Sequence, residues 1–174
     1  MKQLFLDIKA QLAAKVPEVT FVQMWNNQFN DIEEGTVYSF PFPCIFIEFV
    51  NENEIKQLGQ GYQIYDPLTV RVHIGHDFYN NSDGTMEQDL LVFDLKQKVY
   101  KALQKFEPTG AVQFIRYSET QDYNHNNVYH FIMDFKTNYI DNYRTEPVDG
   151  VNSSAPIDLD LTTTYKTHPY TKKL

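Results

Sequence analysis

Hydrophobic and polar positions divide the chain into segments of two periods. Leu4, Ile8 and Leu12 recur every four residues, Phe5 widens the stripe, and the spacing predicts an amphipathic helix over residues 2–15. Pro17 prevents its continuation. Residues 19–25 have strand composition. Residues 26–39 are polar, carry Asp31, Glu33, Glu34 and Gly35, and predict a loop that projects. Phe40-Pro41-Phe42-Pro43 then leads into an apolar strand at 44–50, proline being tolerated at a strand's start or on an edge. Residues 54–65 read as a further strand with Gly59 and Gly61 as bend points, and Asp66-Pro67 reads as a kink or turn. The clearest alternation follows at 68–76. Leu68, Val70, Val72 and Ile74 share one face, and Thr69, Arg71 and His73 the other.

The second half repeats these signals. Thr85 and Gln88 form a capping box ahead of a helix that runs to about Phe106, with Leu91, Leu95, Val99 and Leu103 as its stripe. Glu107-Pro108-Thr109-Gly110 stops it. Residues 111–119 and 127–138 read as strands joined through the polar turn 122–126. Tyr129, Phe131, Met133 and Phe135 lie on one face of the last strand, and His130, Asp134 and Lys136 on the other. Periodicity ends at Asp141. The segment beyond lacks the apolar content to fold alone. Its one exception, Ile157-Asp158-Leu159-Asp160-Leu161, alternates but is too short to be stable by itself, and suits addition as a strand to another sheet. These patterns predict an α+β fold. A mixed, mainly antiparallel β-sheet is flanked by two amphipathic helices in a domain at 1–140, followed by an extended C-terminal arm at 141–174.

Composition narrows the function. The 174 residues suffice for one domain with a hydrophobic core, and the 13 Phe and 12 Tyr are numerous enough that many must be buried or lie in an interface. Fifteen Lys and Arg against 23 Asp and Glu give a net charge of −8, which argues against sequence-independent binding to phosphates. The single cysteine excludes an intrachain disulfide framework and fits a reducing compartment. No apolar run approaches the ~20 residues that span a bilayer, and the first residues lack the features of a signal peptide. The expectation is a soluble protein, with no membrane partner, folded in the cytoplasm of its maker.

Candidate chemistry is sparse. Cys44 lies among apolar neighbours and reads as a core residue. His73 and His76 are three apart on a strand and so face opposite ways, while His125, His130 and His168 show no zinc spacing. The loop 77–87 fails as an EF-hand, since aligning Gly84 with the invariant glycine puts Tyr79 and Leu90 where acidic ligands are required. Gly59-Gln60-Gly61 is too short to cradle a phosphate, and neither a nucleophile elbow nor a Walker motif occurs. The expectation is no catalytic residue, no metal site and no cofactor. Asp31, Glu33 and Glu34 read as a solvated loop whose alternative role is electrostatic, facing a lumen or tube if the subunit is repeated in a ring. Tyr143, Tyr165 and Tyr170, with Ile157, Leu159 and Leu161, are candidate intersubunit anchors in the arm, and Tyr139 beside it reads the same way.

The order helix, strand, Pro-rich apolar strand, strand pair, long helix, hairpin resembles the tail terminator (tail completion) proteins of tailed bacteriophages. The similar stretches are Phe42-Pro-Cys-Ile-Phe-Ile-Glu-Phe49, Leu68-Thr-Val-Arg-Val-His-Ile74, the helix from Asp89 to Leu103, and the acidic-aromatic turn and apolar strand from Asp122 to Phe135. The resemblance spans roughly residues 1–140. It implies a non-enzymatic virion protein whose subunits form a ring, as a rule a hexamer, that caps the tail tube and joins it to the head connector. The implied partners are copies of itself, the tail tube protein, the connector or neck proteins, and genomic DNA passing through the lumen without specific binding. The implied location is the neck of the virion, after assembly in the bacterial cytoplasm. Two alternatives remain at this point: another neck or tail protein, or a small-ligand-binding α+β accessory module. A nucleic-acid-binding module is disfavoured by the charge and by the lack of a basic-aromatic stripe.

Overall fold

The computed structural model describes residues 1–29, 40–51, 55–59, 61–77, 87–124 and 128–142. Its elements are α1 (Lys2–Lys15), β1 (Phe21–Met24), β2 (Cys44–Asn51), β3 (Lys56–Gly59), β4 (Tyr62–Asp77), α2 (Glu87–Leu103), β5 (Ile115–Asp122) and β6 (Val128–Asn142). The strand order is β1-β2-β4-β6-β5, with β3 pairing the first part of β4. Only the β1–β2 pair is parallel. This is an α+β fold built on an open, mostly antiparallel sheet.

Both helices pack on one face of the sheet. Leu4, Ile8 and Leu12 of α1 are fully buried with Val92, Leu95, Val99 and Leu103 of α2 over Ile45, Ile47, Val70, Val72, Ile74, Phe131, Met133 and Phe135. The strand residues are the apolar half of each alternation, so a period of two meets a period of 3.6 across one core. Burying each large aliphatic side chain contributes about 2 kcal/mol. The N–H of Val16 donates to the Leu12 carbonyl at 2.7 Å and closes the last turn of α1 just before Pro17.

Four expectations need correction. Asp66-Pro67 does not end a strand. The chain continues through it as one 16-residue strand, β4, and the register against β6 slips between Tyr65 and Leu68. A bulge accepts a proline because the missing N–H falls where the ladder is already broken. The turn lies earlier, at Gly61, whose φ of 92° suits glycine. Leu91 does not face the core: it is 51% exposed, and Val92 takes its place at 1%. An i+4 repeat drifts 40° per step on a 3.6-residue helix, which carries Leu91 about 120° from Leu103. The helix also ends at Leu103, not near Phe106, because Lys105 adopts a left-handed φ of 63° and donates its N–H to the Phe114 carbonyl. Finally, β6 runs on to Asn142, and Tyr139 is buried with its hydroxyl accepting from the Met1 ammonium at 2.6 Å. Tyr139 is therefore part of the body and not an arm anchor. Thr85, the first residue of the predicted capping pair with Gln88, lies outside the described residues.

Candidate functional site

The sheet face turned away from the helices carries the polar half of the same alternation. Pairing in register places Glu48, Arg71, Asp134 and Ser118 in one row across β2, β4, β6 and β5. Arg71 grips Asp134 with two bonds, Nε to Oδ1 at 2.8 Å and Nη2 to Oδ2 at 3.2 Å, and Ser118 Oγ donates to Asp134 Oδ2 at 3.0 Å. The Arg71 fork also lies 3.6 Å from Glu48 Oε2. Such two-pronged, charge-assisted pairs fix orientation as well as adding attraction.

Further along the same face, His73 of β4 and His130 of β6 meet on a diagonal, Nδ1 to Nε2 at 2.9 Å. His73 Nε2 lies 3.3 Å from Glu48 Oε2, and His130 Nδ1 lies 3.3 Å from Asp122 Oδ2. At 2.9 Å one ring donates an N–H and the other accepts it, and the two end contacts are longer. Burial pushes His73 down to about 3, helped by the Arg71 charge and opposed by Asp134 and Asp122, so its ring is neutral at pH 7.

An aromatic cap seals the imidazoles. The Trp25 indole stacks on His73 at 3.9 Å with a 9° interplanar angle. Phe29 lies edge-on to His130 at 4.6 Å, and Phe29, Phe40 and Phe46 contact one another at 5.1–6.0 Å. Phe29 is fully buried although it belongs to a segment read as loop. It sits over Gly75, where a Cβ would come within 2.5 Å of its ring and 2.8 Å of Cys44 Sγ. Cys44 is itself fully buried, as expected of a core cysteine, and out of reach of a substrate.

The second feature lies at the β5 edge. Among the described residues β5 pairs only with β6, and most of its residues are exposed. Between β5 and α2 runs a groove of about 870 Å³, floored by Met133 and walled by Phe93, Tyr100, Lys96 and Arg116. Phe93 is 50% exposed, and Tyr117 on the strand is 68% exposed. Cations lie on the rings: the Arg116 guanidinium 3.9 Å from Tyr100, and Lys136 Nζ 3.7 Å from Tyr117 on the opposite side of the strand. Glu119 pairs with both Lys96 and Arg116.

The site candidates singled out in the sequence are not among the described residues: Asp31, Glu33 and Glu34 lie outside them, as do Tyr143, Ile157, Leu159, Leu161, Tyr165 and Tyr170. The His73–His130 pair was missed, because 57 residues separate the two and only the β4–β6 register joins them. Its one sequence signal was a polar face on each of two strands. Among the described residues no group of three His, Cys, Asp or Glu is placed to hold a metal ion, and no helix is long and apolar enough to cross a membrane. A scan against protein-family models matches none of them, and a search of curated proteins finds no match.

Proposed function

We propose that the chain is a structural ring subunit of a tailed-bacteriophage virion, the one that closes the tail tube and joins it to the head connector. The observation that carries this reading is the open sheet. Among the described residues, β1 and β5 lie at opposite ends of the strand order, each with one strand neighbour. Two unlike edges on opposite sides are the surfaces that a head-to-tail contact needs, and such a contact repeated around an axis closes into a ring. The order of elements along the chain is also the one on which the resemblance to tail terminators rests.

In this reading the subunit performs no reaction and holds no cofactor. Its partners are its own copies, the tube protein and the neck proteins. Its −8 charge, repeated around a lumen, repels DNA phosphates and lets the genome pass without sticking. A ligand-binding module would instead bring perturbed titratable groups and a cavity to one place. Here His73 is sealed behind Trp25, and the 870 Å³ groove is walled by α2 and β5 residues that do not include it.

Light scattering over a range of concentrations tests the reading. The expected result is a mass that rises from one subunit to a closed multiple and stops there. A mass of one subunit at every concentration, with and without tail tubes, counts against it.

A further inference from the structure

We propose that the free edge of β5 receives the segment Ile157-Asp158-Leu159-Asp160-Leu161 of a second copy of the chain, added as an extra strand. The inference rests on the ring reading and names the contact that would close the ring.

Three observations carry it. The first is the edge itself: among the described residues β5 is an exposed strand paired only with β6, and beyond Arg116, whose N–H donates to Gln104 Oε1, its outward N–H and C=O groups can pair with an incoming chain. The second is the difference between its two sides. Toward α2 the edge borders the groove, where Phe93 and Tyr100 offer apolar surface and the cations Lys96 and Arg116 already pair with Glu119. On the other side Lys136 sits over Tyr117. An added strand sends alternate side chains to the two sides. Ile157, Leu159 and Leu161 therefore enter the groove, while Asp158 and Asp160 face the Lys136 side. The reverse arrangement would set two aspartates in a groove whose cations already hold Glu119 and leave three aliphatic side chains beside an ammonium. The third is supply. The 32 residues after Asn142 (174 − 142) contain one apolar-acidic alternation of this length, and at about 3.3 Å per residue the 14 residues between Asn142 and Ile157 reach a neighbouring body with ease.

A photo-crosslinking residue placed at Tyr117, in an equal mixture of light and 15N-labelled chains, tests the contact. The expected crosslink joins position 117 of one isotope to the peptide containing Leu159 of the other. Leu159→Asp is expected to weaken association about tenfold, as the loss of one buried aliphatic side chain implies, while thermal melting of the body stays unchanged. Crosslinks only within one isotope, crosslinks to β1 in place of the arm, or rings formed by a chain truncated after Asn142 would each overturn the proposal and leave the ring reading standing. Crosslinked pairs that never close into rings would uphold the proposal and remove the ring reading.

Discussion

Replacing Gly75 with alanine is expected to destabilise the protein by about 3 kcal/mol, the upper end of the range for overpacking a filled interior. The backbone at Gly75 has no positive φ, so conformation does not demand glycine there; space does. The added Cβ would meet Phe29 Cζ at 2.5 Å and Cys44 Sγ at 2.8 Å. Neither can retreat cheaply. Cys44 is fixed in a central strand, and the Phe29 ring is held by Trp25, Phe46, Phe40 and His130. Urea unfolding followed by the fluorescence of Trp25, the protein's one tryptophan, measures the loss. Phe29→Leu in the same chain should return part of it, so the double variant is more stable than the sum of the single effects predicts. A Gly75→Ala protein within 0.5 kcal/mol of the parent would show that Phe29 does not seat on Gly75.

Acid should destabilise the protein well before its carboxylates titrate. His73 is pushed down to about 3 by burial, against 6.5 for an unhindered histidine. Below pH 6.5 the unfolded chain takes up a proton that the folded chain refuses. The unfolded state then binds more protons, and stability falls as pH falls. The contribution is complete above pH 6.5 and is lost toward pH 3, at about 1.4 kcal/mol per pH unit. That amounts to about 3 kcal/mol by pH 4. The groups facing the ring are His130 from β6, Glu48 from β2, and Arg71, Asp134 and Asp122 around it. Denaturant midpoints at pH 7, 6, 5 and 4 check the slope, with His73→Gln as the control that keeps a hydrogen-bonding side chain without a titrating ring. The parent should lose stability from pH 6.5 downward, and the variant should fall with a shallower slope over the same range. Equal slopes in the two proteins would mean that another group carries the acid response.

The sequence exposed these features unevenly. The alternation at 68–76 was readable because β4 there is paired on both sides, with one face in the helical core and the other beneath Trp25 and beside Arg71. The first helix was readable because Leu4, Ile8 and Leu12 span only two steps, too few for the i+4 drift to matter. Over the longer α2 the same spacing misplaced Leu91. The passage of β4 through Asp66-Pro67 was hidden, because local proline chemistry favours a break and only pairing with β6 overrides it. The imidazole pair, the Phe29 plug and the burial of Tyr139 were hidden for a common reason. Each depends on contacts between residues far apart in sequence, which periodicity does not encode. The exposed β5 edge was equally invisible, since a strand's place in the sheet order follows from its partners and not from its own residues.

Adding gold-labelled protein to isolated, unterminated tail tubes and imaging them tests the proposed closure of the tail tube most directly. The expected result is one ring of label at one end of each tube, with no further tube growth from that end. Label scattered along the tube wall, or absent from tubes that continue to lengthen, would contradict it.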